Sequence, residues 1–355
     1  RAGLAGCEGY AGRGTRAEFR ITPGAEVSVL PCAWRLSFDE ALSRGDACAA
    51  RGQLLDGLRI LSLLLDAPSD FYDAGILFTW CGQVLGACER LVHDPGCQAE
   101  WLAELSERMP RQGAVRQAGV SLLRGQFWQG VNAVETGAAI EAVLPLCGRT
   151  PTATELRMRR VDVPATCRLL AGDFRTHLGV LETNRTDAAY FDYYGGDSFL
   201  TLAAGALKIW LEPNAGGRNI SSHYALFARL NVGRLKALEN GVGCLRAVVA
   251  AERFRRAEGS APETLDALVP GYLEEVPRDT FGGGPIRYAC ERGLVWSVGQ
   301  NGVDDGGSTR TDKGEAGRFR ASRSKDALDM VYPVSSKAVE EAANQARMWL
   351  EKKKR

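Results

Sequence analysis

The chain has 355 residues, too many for one small module, and its 45% hydrophobic content can bury a sizeable core. Lys and Arg (44) nearly cancel Asp and Glu (43), which excludes a nucleic-acid binder whose whole surface is basic. Only three histidines occur, His93, His177 and His223, so His-based catalysis and zinc chemistry have little to work with.

Residues 1–36 read as an irregular, Gly-rich segment with Pro23 and Pro31 and a short strand at Glu26–Leu30. Ser37-Phe38-Asp39-Glu40 matches a capping box, in which Ser and Glu side chains satisfy orphan amides reciprocally. One helical pattern follows to Asp66, softened at Gly52 and stopped by Pro68. Leucines from Leu54 to Leu65 are too many for one face, so that helix is expected to lie between others. Further helices are predicted over 70–93, 98–109 and 112–145. Thr152–Glu155 forms a second capping box, and Pro164 opens a helix to about 179. A polar, aromatic loop covers 182–197, a helix 198–211, and a turn-rich break Asn214–Ser222.

From His223 to Ala257 the pattern is one long helix. Gly233, Gly241 and Gly243 weaken it but let another element approach closely. The grammar then changes: a short helix from Pro262 to Val269, strands at Ile286–Cys290, Leu294–Val298 and Asp329–Val334, and a glycine-rich loop at Gly299–Gly307. Residues 308–325 carry six basic and two acidic side chains and read as a surface loop. An amphipathic helix at 336–350 and a basic tail, Lys352–Arg355, close the chain.

Ten cysteines lie scattered with no C-x-x-C pair, which disfavours zinc ribbons and thioredoxin-type sites and fits disulfides in an oxidising compartment. Cys81 and Cys88 sit two turns apart on one predicted helix, roughly 10 Å, and so cannot pair with each other. No window approaches ~18 consecutive apolar residues, so no membrane span is expected in this chain. Phosphate-loop, dinucleotide, H-E-x-x-H and G-x-S-x-G motifs are absent. Gly196-Asp197-Ser198-Phe199-Leu200 has the form of an esterase nucleophile motif, but no His carries an Asp three residues before it, and an N-cap is the expected role. Asn184 and Asn219 head glycosylation sequons and mark surface loops. Tyr190, Phe191, Tyr193 and Tyr194 could form a binding lip or fold back onto helices.

Several blocks in the last third carry a resemblance. They are Ala250–Arg255, Ala261–Leu273, Val276–Gly283, Pro285–Tyr288, Trp296–Gly307 and Asp329–Tyr332. In order and spacing this stretch, Leu245–Tyr332, resembles the C-terminal part of type II secretion major pseudopilins. It is also similar to bacterial membrane-anchored proteins that carry such a module behind a helical region. The resemblance implies a calcium site at Val298, Gly299, Asn301, Asp304, Asp305 and Asp329, where backbone carbonyls and carboxylates supply hard oxygens. It departs at Asn301, where the family carries Asp, and in the long basic segment before Asp329. The same residues would also close a metal-free loop through Asp–amide bonds.

The expected fold is mainly α with a small α+β module. A helical, solenoid-like N-terminal domain (37–222) precedes a pseudopilin-like module (223–335), in which a long helix packs on a short antiparallel sheet. Segments 1–36 and 336–355 flank the two. The expected role is that of a non-enzymatic structural or protein-interaction ectodomain, extracytoplasmic and anchored in a membrane by a segment absent from this chain. Its partners would be proteins or its own copies, without nucleic acid, and its one cofactor Ca2+. The alternative is a hydrolase, or a glycan- or peptide-binding protein, using the concave face of the helical domain.

Overall fold

The computed structural model describes residues 26–66, 71–139, 159–183, 190, 213–307, 329–334 and 338. Within them run seven helices: α1 Glu26–Ser43, α2 Ala47–Asp66, α3 Phe71–Val92, α4 Ala99–Arg108, α5 Gln112–Glu135, α6 Val163–Glu182 and α7 Ala215–Glu258. A 3₁₀ turn at Leu265–Leu268 and three strands follow, β1 Arg287–Ala289, β2 Leu294–Ser297 and β3 Met330–Pro333. The expected fold class, mainly α with a small antiparallel sheet, is what is found. The expectations for 140–158, 196–212, 308–325 and 339–355, and for Asn184, Phe191, Tyr193, Tyr194, Cys7 and Cys147, lie outside the described residues.

The N-terminal expectation needs correction. Glu26–Ser43 is a helix, not an irregular stretch with a strand, although Pro31 sits inside it. Packing overrides the local signal. Trp34 donates to the Gln53 carbonyl (3.2 Å) and stacks near Phe38 and Trp80, while Trp80 donates to the Gly57 carbonyl (2.9 Å). Any Cβ at Gly57 would strike the Trp34 ring, so a glycine is what lets α1 and α2 close on each other. Ser37 therefore lies mid-helix, and its hydroxyl accepts from Gln53 rather than capping. The predicted single helix to Asp66 breaks at Gly45, which takes a left-handed φ of 74°. Asp46 caps α2 by accepting from the Ala49 amide (2.9 Å).

α7, 44 residues and about 66 Å long, is the spine. It packs on α3, α4, α5 and α6, on the 3₁₀ turn and on β2 and β3. A free-standing repeat array touches only neighbours along the chain; here one late helix gathers the earlier ones. Both predicted domain boundaries at 36/37 and 222/223 fall inside helices, α1 and α7. The predicted break at Asn214–Ser222 is also helical. Its glycines serve close approach: a Cβ at Gly217 would sit 2.0 Å from the Thr166 Oγ1. Asn214 ties the two helix starts together, accepting from the Asp162 amide and donating to Thr166 (3.0 Å each). Asn219 consequently lies on α7 and not on a loop.

The sheet runs in the order β1-β2-β3, antiparallel throughout, with Tyr288 opposite Val295 and Val295 opposite Tyr332. Gly259, in the left-handed region, ends α7 and turns the chain towards it. Gly243 again permits close approach, since a Cβ there would meet Ile286 and Pro277. No disulfide forms among the described residues: Cys32, Cys48, Cys81, Cys88, Cys97, Cys167 and Cys290 are thiols, and burial drives the Cys88 thiol up to about 12. No described helix is long and apolar enough to cross a membrane.

Candidate functional site

The densest polar constellation sits where α7 meets the sheet module. Lys236, Glu239 and Asn240 are fully buried on α7, in a run otherwise made of Leu235, Leu238, Val242 and Leu245. Burying such groups is tolerable only when each finds partners. Asn240 donates to Asp279 (3.0 Å) and Ser297 (2.7 Å) and accepts from the Thr280 amide (2.8 Å). Lys236 donates to the carbonyls of Thr183 (2.6 Å) and Thr280 (3.1 Å). Burial lowers its ammonium to about 8, against the opposing charges of Glu239 and Asp279. Glu239 accepts from Arg116 of α5 (2.7 Å), and burial still pushes its carboxyl up.

Asp279, wholly buried, is the hub. Its Oδ1 accepts from Asn240, from the Phe281 amide (2.9 Å) and from the Gly282 amide (3.1 Å). Its Oδ2 accepts from the Val298 amide (2.7 Å) and from Arg287 (3.1 Å). The turn at 279–282 is thus bonded at once to the spine, to β1 and to the start of the glycine loop.

The predicted calcium residues are brought together in that loop, and most are already engaged. The Val298 amide is held by Asp279, and the Gly299 carbonyl accepts from Gly302 (3.0 Å). Asn301 accepts from the Val303 amide (3.0 Å) and donates weakly to Asp305 (3.4 Å). Asp304 accepts from the Trp296 indole (3.0 Å), the Gly306 amide (3.0 Å) and Arg287 Nε (2.6 Å). Burial opposes its charge, but those donors outweigh it and hold the carboxyl below its ordinary value.

Asp329 accepts from the Gly307 amide (2.7 Å) through Oδ2. Its Oδ1, like Gln300 Oε1, is buried with no hydrogen-bond partner among the described residues. Burial, with the charges of Asp304 and Asp305, raises Asp329 to about 6. Among the described residues no three His, Cys, Asp or Glu side chains converge as a metal site would require.

On the helical side Tyr190, the described member of the predicted lip, is half-buried and folded back. Its hydroxyl lies 2.7 Å from His177 Nδ1, and Arg229 stacks over its ring and donates to its carbonyl. Burial lowers His177, with Asp173 opposing. Ser221 donates to Asp173 (2.6 Å). His177 bonds Tyr190 and His93 the Pro333 carbonyl, neither with a serine or cysteine side chain as the partner. Trp128 and Leu226 stand exposed within a turn of the place where Gly130 of α5 packs on Tyr224 of α7.

The sequence located the glycine loop. It missed Lys236, Asn240 and Arg287, the residues that lock it and the Asp279 turn in place. The available signal was a set of polar side chains inside an apolar helical run with no solvent face to occupy. Comparison with protein families, curated proteins and solved structures finds no match for the chain.

Proposed function

We propose that the chain is a structural or protein-interaction ectodomain of a bacterial exported, membrane-anchored protein of pilin-like ancestry, working by contact and not by catalysis. One observation carries this reading: of the buried groups best able to do chemistry, Lys236, Asn240 and Asp279 are consumed in fastening the sheet module to the spine and Glu239 in pairing the spine with Arg116 of α5. Additional ties brace the earlier helices against the spine and the module. Gln112 exchanges two hydrogen bonds with the Arg278 backbone, Arg246 donates to the Ser106 and Met109 carbonyls, Arg256 to Cys97, and His93 Nε2 meets the Pro333 carbonyl. A body braced in this way presents its surface rigidly, which suits protein partners or further copies of itself.

The test is a photoreactive residue at exposed Trp128 in the full gene product, expressed with its own upstream sequence. The expected result is recovery in the membrane fraction with a discrete crosslinked protein adduct. Recovery in the cytosol would overturn the reading. So would hydrolysis of model ester or glycoside substrates that a His177→Gln variant of unchanged melting temperature no longer performs.

A further inference from the structure

Arg287 stands at the start of β1, between two carboxylates that belong to different pieces of the module. Its Nη1 donates to Asp279 Oδ2 at 3.1 Å and its Nε to Asp304 Oδ2 at 2.6 Å. Asp279 organises the turn below the sheet, and Asp304 organises the glycine loop beside it. Asp279 is wholly buried while Asp304 lies at the exposed rim, so the guanidinium neutralises a dry carboxylate on one side and reaches a solvated one on the other. A guanidinium answers this geometry well, because its fixed fork bonds planar carboxylates along separate N–H directions and is always charged.

The surroundings hold it in place. Arg287 pairs with Trp296 across the β1–β2 ladder, and the Trp296 indole bonds the other oxygen of the same Asp304. Arg292 covers the Trp296 ring and donates to the Gly306 carbonyl, pinning the far end of the loop. A divalent cation on Asp304 would have to displace three donors already in place.

We infer that the guanidinium of Arg287 is the built-in cation of this loop, tying the Asp279 turn to Asp304 in the position where a loop of carbonyls and carboxylates would otherwise recruit a metal ion. The module therefore closes without calcium, and its shape does not follow calcium concentration. The inference goes beyond the scaffold reading and stands independently of it: a calcium-independent loop serves an enzyme as well as a scaffold.

The experiment uses the whole chain, stripped with chelator and then titrated with calcium chloride, with thermal unfolding and calorimetry as readouts. A metal present at about 100 times its Kd would raise the melting temperature by several degrees. For the wild type the expected shift is under about 1 °C at millimolar calcium, with no binding heat. The Arg287→Met variant is expected to melt several degrees lower in chelator and to regain part of the loss with calcium, because Asp304 is then released. Arg287→Lys, a point charge without the fork, should fall between the two and serves if the methionine variant does not fold.

Calcium stabilising the wild type by several degrees would overturn the inference. So would a methionine variant that melts like the wild type in chelator, or one whose loss calcium cannot restore.

Discussion

Around Trp34, Leu54, Leu58 and Trp80 the first three helices meet through apolar contact, whereas around Asp279, Asn240 and Lys236 α7 meets the sheet module through hydrogen bonds in an interior just as dry. The contrast separates two kinds of information. Apolar packing is non-directional and survives rearrangement of shape if volume is kept. A saturated polar hub admits one geometry, because each donor left behind by a shift is a buried orphan. The helical region therefore supplies bulk stability, and the joint supplies a fixed pose for the module on the spine.

The sharpest way to break this contrast is Asp279→Ala. Five donors would lose their acceptor, and each buried orphan costs about 1–3 kcal/mol. The expected loss exceeds about 4 kcal/mol, a large share of a typical domain's stability. Chemical denaturation followed by circular dichroism reads it. A loss below about 2 kcal/mol would mean that the joint is held by packing after all.

On the apolar side Leu58→Ala should cost about 3 kcal/mol, since Leu58 is fully buried beneath α1 and α3. Leu58→Met, which nearly conserves volume, should cost less than about 1.5 kcal/mol. The same measurement applied to Asp279→Asn sharpens the comparison. That swap is also nearly isosteric, yet it places an amide donor against the Val298 amide and Arg287, and it should cost more than Leu58→Met. Near-equal losses for the two conservative swaps would erase the distinction between the regions.

What the sequence made legible follows the same division. Helices with apolar periodicity, α3 to α6, appeared close to their observed places, as did the three strands, except that the helix predicted over 112–145 ends at Glu135, where Thr136 caps it and Gly137 takes a left-handed φ of 78°. Their signal is local hydrophobic patterning. The other misreadings involve residues whose purpose is tertiary. Pro31 and Gly217 looked like breakers, but one is overridden by Trp34 and Trp80 and the other makes room for Thr166. Ser37 looked like a cap, while the working cap, Asp46 after Gly45, was passed over. In the candidate loop the acidic residues came from the resemblance. Their engagement was not legible, because Arg287 lies 17 residues before its partner Asp304 and on a different element. Long-range pairing of this kind leaves no mark on local pattern.

The smallest effect expected concerns Asp329, whose Oδ1 is buried with no hydrogen-bond partner among the described residues. Asp329 is buried and sits at about 6, above its ordinary 3.8, so the folded chain binds this proton more tightly than the unfolded chain does. Its stabilising contribution is therefore complete below about pH 4 and disappears as pH rises towards 6. At pH 7 the ionised group is a liability, the desolvation and repulsion by Asp304 and Asp305 exceeding the backbone bonds from Gly307 and Asp305.

Asp329→Asn keeps an acceptor for Gly307 and turns a donor towards its acidic neighbours. The variant should be slightly more stable than the wild type at pH 7 and should lose the fall in stability between pH 4 and 6. Urea titrations at pH 4.5, 6 and 7.5 compare the two slopes. Parallel pH profiles would show that the Asp329 carboxyl is solvated and titrates normally, and that the polar order of the joint stops short of the loop's far end.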